Sequence, residues 1–151
     1  MTEEGKFVEF VTFTVAGQMF GLPIARVQDV FKPSCITRVP LAAAEIAGVL
    51  NLRGRIVTAI DMRTRLDVRA REHGGTPMAI GIEVKGESFG LLVDSVGEVL
   101  RLPDADREAN PVNLDSKLAS LAAGVYRLDG QLLVVLEIDR VLDLRGEAAA
   151  A

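Results

Sequence analysis

Hydrophobic and polar residues alternate through Phe7–Val15, with Phe7, Glu9, Val11, Phe13 and Val15 on one side. A period of two marks a half-buried β-strand. Ala16-Gly17-Gln18 supplies a turn before the apolar stretch Met19–Ile24, so the two stretches form a hairpin, and Lys85-Gly86-Glu87 plays the same part later in the chain. Val49–Leu52, the Arg53-Gly54 turn and Arg55–Ile60 form another hairpin, matched by Val125–Leu128, Asp129-Gly130 and Gln131–Glu137. The runs IVTAI and LLVVL are continuous, which predicts strands buried on both faces. Short helices are expected at Leu41–Ala47, where Pro40 can begin a turn, at Leu114–Leu121, and near Ile138–Leu144.

The pattern occurs twice. Residues 13–30 (FTVAGQMFGLPIARVQDV) align without a gap on 82–99 (IEVKGESFGLLVDSVGEV), an offset of 69. Gly17/Gly86, Phe20/Phe89, Gly21/Gly90, Val27/Val96 and Val30/Val99 coincide, and Asp29 meets Glu98. Residues 46–62 align on 122–138 at an offset of 76, matching Gly48/Gly124, Val49/Val125, Leu52/Leu128 and Gly54/Gly130. Two blocks in the same order indicate an internal duplication. Four to five short strands in each half predict a mainly β protein of two pseudo-repeated, SH3-like β-barrel subdomains with a few short helices. A single unit spans 7–144, with roughly 16–80 as the first barrel and 7–15 plus 81–144 as the second, so that strands can be exchanged between the halves. Residues 69–77 join the halves, residues 102–120 form a long excursion, and residues 145–151 are a tail.

Composition then removes whole classes of function. Of 151 residues, 49% are hydrophobic and 25% charged, enough for a real core. With one His, one Cys and no Trp, neither a structural zinc centre nor an intrachain disulfide can be assembled. A net charge of −4 argues against nucleic acid, and no apolar stretch approaches the roughly 18 residues of a membrane span. Neither a cofactor nor a metal is expected. The acidic excess lies in the second half: residues 1–75 carry 10 basic and 8 acidic side chains, and residues 76–151 carry 7 and 13.

Catalysis finds little support. Gly86-Glu87-Ser88-Phe89-Gly90 spells G-x-S-x-G, but a nucleophile elbow needs a strand-to-helix turn and a later His, whereas His73 lies upstream. The repeat places Met19 where Ser88 stands, so the glycines serve hairpin geometry. His73, beside Gly74-Gly75, and Cys35 have no supporting motif. Gly17, Gly54, Gly86 and Gly130 are assigned to turns that favour positive φ. Arg53 is different, because its counterpart is Asp129 and a turn does not require arginine. It is either a solvated turn residue or a fork for a carboxylate, with Asp29 as the candidate partner.

Several segments carry a family resemblance: Phe20–Val30 (FGLPIARVQDV), Gly48–Gly54 (GVLNLRG), Ile60–Arg63 (IDMR) and Phe89–Val99 (FGLLVDSVGEV). From about Phe7 to Leu144 the chain resembles the CheW family of chemotaxis coupling proteins. The resemblance implies two SH3-like barrels and a non-enzymatic adaptor linking the cytoplasmic tips of chemoreceptors (methyl-accepting chemotaxis proteins) to the regulatory domain of a CheA-type histidine kinase. It implies a cytoplasmic protein recruited to receptor arrays, without membrane insertion. It also implies that Val27, Asp29 and Arg53 lie at the receptor-binding region, with Met78 and Val99 in its apolar lining between the barrels. Two departures from the family pattern are the strand Ile56-Val57-Thr58-Ala59, where members often carry proline, and Pro23. An adaptor of a non-flagellar pathway, such as pilus motility, is the nearest alternative, and a small serine hydrolase using Ser88 is the competing reading from another class.

Overall fold

The computed structural model describes residues 6–68 and 77–143. Its strands are β1 (Phe7–Val15), β2 (Gln18–Pro23), β3 (Val27–Phe31), β4 (Ile46–Leu52), β5 (Arg55–Asp61), β6 (Met78–Val84), β7 (Glu87–Val93), β8 (Ser95–Pro103), β9 (Ala122–Leu128) and β10 (Gln131–Leu136). Short helices follow β5 (α1, Met62–Arg65), precede β9 (α2, Ser116–Leu121) and follow β10 (α3, Ile138–Val141). The strands form two five-stranded sheets, sheet I in the order β8-β1-β2-β10-β9 and sheet II in the order β3-β6-β7-β5-β4. Each repeat therefore contributes its first hairpin to the other repeat's sheet. Each exchanged hairpin is held on both sides, by the parallel pairings of β2 with β10 and β7 with β5 and by the antiparallel pairings of β1 with β8 and β6 with β3. The sheets divide the chain differently from the 16–80 and 7–15 plus 81–144 partition: β2 stays with β1 in sheet I, and β6 with β7 in sheet II. A two-residue turn cannot let the strands of one hairpin join different sheets, so the exchange moves whole hairpins.

Each sheet curls until its edges meet. Beyond edge strand β3, Thr37 exchanges two 2.8 Å backbone hydrogen bonds with Val49 on the opposite edge, β4. Beyond β8, Glu108 does the same with Val125 on β9, at 2.8 and 2.9 Å. The crossing chain lies directly over the glycine that precedes each valine. A Cβ on Gly48, whose φ is +149°, would collide with the Thr37 carbonyl oxygen, and one on Gly124 would stand 3.0 Å from the Glu108 carbonyl oxygen. The Gly48/Gly124 match in the repeat thus records the closure of both sheets.

Three apolar clusters follow from this arrangement. The largest is shared, drawing Phe13, Phe20 and Leu22 from sheet I and Ile60, Ile80 and Leu91 from sheet II. Sheet I also encloses Phe10, Tyr126, Leu133 and Val135, while sheet II encloses Ala79, Leu50, Val57 and Ala59 with Leu92. At offsets of 69 and 76 these are matching positions, filled with larger side chains in sheet I. Burial on two sides explains why Phe10 through Phe13 are all buried despite their alternating pattern: Phe10 faces the interior of sheet I and Phe13 the shared core. LLVVL is buried from Leu133 to Leu136, but Ile56 of IVTAI is 62% exposed because the strand begins beside the solvent-facing Arg53-Gly54 turn.

No helix forms at Leu41–Ala47, because Ile46 and Ala47 are drawn into β4 by pairing with β5 and packing of Ile46 on the shared core. The residues left over are too few to nucleate a helix. The Leu114–Leu121 and Ile138–Leu144 expectations shorten to α2 and α3 within the described residues. Helix α1 was not anticipated, although Asp61 is a typical cap that accepts from the Arg63 N–H at 3.0 Å. Pro23 ends β2 and opens a 3-10 turn at Ile24–Arg26, where fixed φ is an advantage. Thr58 and Ala59 sit mid-strand between β4 and β7, paired on both sides.

Polar contacts tie the sheets together. Arg63 grips Asp94, in the crossover from β7 to β8, through Nε–Oδ1 at 2.9 Å and Nη2–Oδ2 at 2.6 Å. Asp94 Oδ2 also accepts from the Ala16 N–H at the β1–β2 turn, at 2.8 Å. Arg65, 2% exposed, donates to the carbonyls of Val141 at 2.7 Å and Arg140 at 2.8 Å, completing the end of α3.

Two stability predictions follow from closure and burial. Gly48→Ala should cost more than about 2 kcal/mol in urea unfolding, combining a backbone collision with a conformation that is nearly glycine-only. Gly54→Ala, at φ +81° with nothing within 4 Å, should cost only about 1–2 kcal/mol. Tyr126 is the sole tyrosine, and burial pushes its phenol above the ordinary value, more than nearby Arg107 offsets. Tyrosinate absorbance should therefore appear later in an alkaline titration of folded than of unfolded protein. The stability contributed by the neutral phenol is present below its unfolded pKa and is lost as pH rises through the folded one.

Candidate functional site

The pocket at the mouth of sheet II is built from a bulge, a turn and a glycine. The pairing of β3 with β6 shifts register between Val27 and Asp29, which lays the Asp29 carboxylate over Gly81. A Cβ on Gly81 would collide with Asp29 Oδ1, so the glycine makes room for the acid. Opposite, the β4–β5 turn places Arg53 at φ +53° and Gly54 at φ +81°, the pattern of a tight type I′ hairpin. Asn51 Oδ1 accepts from the Gly54 N–H at 2.9 Å and braces the turn. Arg53 Nη1 then reaches Asp29 Oδ2 at 3.3 Å, with side-chain exposures of 76% and 30%.

Between them lies a pocket of about 70 Å³. Phe31, Leu52 and Val57, which pack inside sheet II, give it an apolar floor, while Gly81, Ile82, Ser88 and Phe89 form its wall, with the Ile82 and Phe89 side chains in the shared core. Its second polar edge is Arg55, whose Nη1 donates to Ser88 Oγ at 3.0 Å and to Gln28 Oε1 at 3.5 Å. Gln28 in turn donates from Nε2 to Glu83 Oε1 at 2.6 Å. Sequence reasoning missed Arg55, Gln28 and Phe31, although Arg55 faces Gln131 in the repeat, just as Arg53 faces Asp129.

The remaining sequence candidates are dispersed. Val27 opens β3 and packs on the shared core, and Met78 opens β6, partly buried against that core. Val99 lies in the other sheet, on edge strand β8 opposite Val11, and is 48% exposed. None of these three lines the Asp29–Arg53 pocket. Gly17, Gly54, Gly86 and Gly130 occupy two-residue turns with φ between +80° and +83°. Ser88 has a guanidinium as its partner, which cannot accept a proton and so cannot act as a base. Cys35 is exposed and unbridged, and His73 lies outside the described residues. Among the described residues no group of three or more His, Cys, Asp or Glu side chains could hold a metal ion.

The family model described as CheW-like domain matches residues 9–146. The chain belongs to the CheW-like family. It is 32% identical over 142 residues to a chemotaxis protein CheW of Rhizobium meliloti (strain 1021), covering 94% of this chain and 92% of the relative. It is 28% identical to the chemotaxis protein CheW of Thermotoga maritima, covering 91% and 89%. With that of Bacillus subtilis (strain 168) it shares 27% identity, over 99% and 97%. Among solved structures, the scaffolding protein TtCheW from Thermoanaerobacter tengcongensis superposes with a TM-score of 0.81 at 28% identity, covering 92% of this chain and 94% of that one. CheW-like proteins are non-catalytic scaffolds, and the Ser88 hydroxyl accepts from the Arg55 guanidinium.

The Asp29–Arg53 pair is too exposed to hold the fold. A double-mutant cycle with Asp29→Ala and Arg53→Ala should give a coupling below about 1 kcal/mol in unfolding, shrinking further as salt is raised.

Proposed function

We propose that the protein is a chemotaxis adaptor that joins the cytoplasmic tips of chemoreceptors to the regulatory domain of a CheA-type histidine kinase. The observation that carries the reading is the match to CheW-like proteins along almost the full chain, in sequence and in fold. Arg53, projecting from a turn at the mouth of sheet II and lightly held by Asp29, supplies a recognition group that the scaffold does not need for stability. In this reading the receptor's helical tip lays apolar side chains against Val27, Met78 and Val99, and the Asp29–Arg53 pair orders the polar rim. The kinase domain binds another face, for which the exposed Ile56 on the β4–β5 hairpin is a candidate anchor.

Such a protein acts by binding two partners at once. A change in receptor conformation is felt by the kinase only if the adaptor transmits it without deforming, so a stiff body suits the task. The shared core and the Arg63–Asp94–Ala16 contacts supply that stiffness. No helix among the described residues is long and apolar enough to cross a membrane, and we place the protein in the cytoplasm, at receptor arrays.

Arg53→Asp should reverse the rim's charge while leaving the unfolding midpoint nearly unchanged. Receptor signalling fragments should then bind at least tenfold more weakly, and receptor-dependent control of the kinase should fall with binding. Wild-type affinity in that variant would overturn the assignment of Arg53 to the receptor site.

A further inference from the structure

The two sheets share a backbone plan but are filled differently. Phe10, Tyr126, Leu133 and Val135 inside sheet I stand at the positions of Ala79, Leu50, Val57 and Ala59 inside sheet II. Sheet II recovers part of the lost volume by another route. At the matching Gly21 a Cβ would meet Leu133 and Phe10, at 3.4 Å; at Gly90 it would meet their smaller counterparts Val57, at 3.4 Å, and Ala79, at 3.7 Å, with the Phe31 ring of β3 added at 3.5 Å. Phe31 does not fill the whole space, and the 70 Å³ pocket over Val57, Ile82 and Phe89 is the remainder. Interiors are ordinarily packed without such gaps, and this one opens to the surface between two arginines.

We propose that this mouth is a socket for one branched aliphatic side chain presented beside a carboxylate on a protein partner. Phe31, Leu52 and Val57 supply an apolar floor beneath a polar rim, in a pocket of about 70 Å³. The rim selects the charge: Arg53 makes one long contact to Asp29, and Arg55 uses Nη1 for Ser88 and Gln28. Each guanidinium carries five N–H donors in a fork suited to carboxylates, so each has donors left for a ligand. The wider field agrees. Residues 24–68 and 77–94, which build sheet II, hold 8 basic and 7 acidic side chains, while residues 6–23 and 95–143 hold 6 and 10. An acidic partner is therefore steered toward sheet II and away from sheet I. The inference deepens the adaptor reading at Arg53 by stating the partner's chemistry, but the socket stands on its own packing.

The test uses isocaproate, which joins a branched tail to a carboxylate, titrated into the full chain and followed by amide NMR. Acetate, 4-methylpentanol and isoamylamine are the controls that remove the tail, remove the charge, or reverse it. Isocaproate should give saturable shifts at Val57, Gly81, Ile82 and Phe89, with at least fivefold higher affinity than any control. Val57→Phe, which fills the socket from below, and Ser88→Leu, which fills it from the rim, should each weaken that binding at least fivefold. Either filled variant suffices if the other fails to give a folded spectrum, and should both fail, Arg55→Gln must weaken isocaproate more than the alcohol. Unsaturable shifts, equal binding of the controls, or full binding to a filled variant would overturn the socket. Receptor-fragment affinity measured on the same proteins separates the two readings: intact receptor binding without an isocaproate site removes the socket and leaves the adaptor standing.

Discussion

The pairings between repeats, β2 with β10 and β1 with β8 in one sheet and β5 with β7 and β3 with β6 in the other, are the constraint on which the molecule depends. Each joins a hairpin from one repeat to the sheet of the other, so neither repeat can complete a sheet from its own residues. The shared core has the same logic, because its members come from both sheets and lose their cover if the halves part. Such contacts are far apart in sequence, and the entropy of closing those loops is offset only when both sheets form. The protein is therefore one cooperative body built from two copies of a motif.

That body explains how a duplicated scaffold can carry one specialised site. Features needed to close and turn the chain recur in both halves: the glycine under each crossing segment, and the glycine in each tight turn. Even the bulges correspond, with the polar side chain supplied by opposite strands: Asp29 of β3 lies over Gly81 of β6, while Thr12 of β1 stands over Gly97 of β8 and donates to the Glu98 carbonyl at 2.6 Å. Features free of those duties have diverged. Sheet I carries the larger interior side chains, whereas sheet II carries smaller ones and has Arg53 and Arg55 at its mouth. A surface of this kind works by shape, charge and rigidity, which is the equipment of a scaffold.

The strands, the turns and the Asp29–Arg53 partnership were legible in the chain. Alternation and glycine placement report on local backbone geometry, and the repeat separates what both halves keep from what only one has. Less was legible where a segment's fate depends on a distant neighbour. The alanines after Pro40 read as helix until β5 claims Ile46 and Ala47, and Ile56 reads as buried until the turn beside it faces solvent. Nor does the chain by itself show how far apart the expected site residues stand: Arg53 lies in sheet II, and Val99, expected in the lining between the barrels, lies in sheet I.

The sequence by itself determined that this is a duplicated β protein resembling the CheW family, without the residues for a His/Cys-ligated structural zinc centre or for disulfide bonding within one chain. The duplicated β architecture rests on composition, period and spacing and the family on the resemblance of particular segments, none of which needs knowledge of what lies opposite. Only the tertiary structure decided that whole hairpins change places, that glycines 48 and 124 lie beneath the closing segments, and that sheet II keeps an open mouth under Arg53 and Arg55. Each of these depends on which strands pair and how completely their side chains fill the space between them. Pairing is a competition among many strands of similar pattern, and it is settled by the burial of all of them at once.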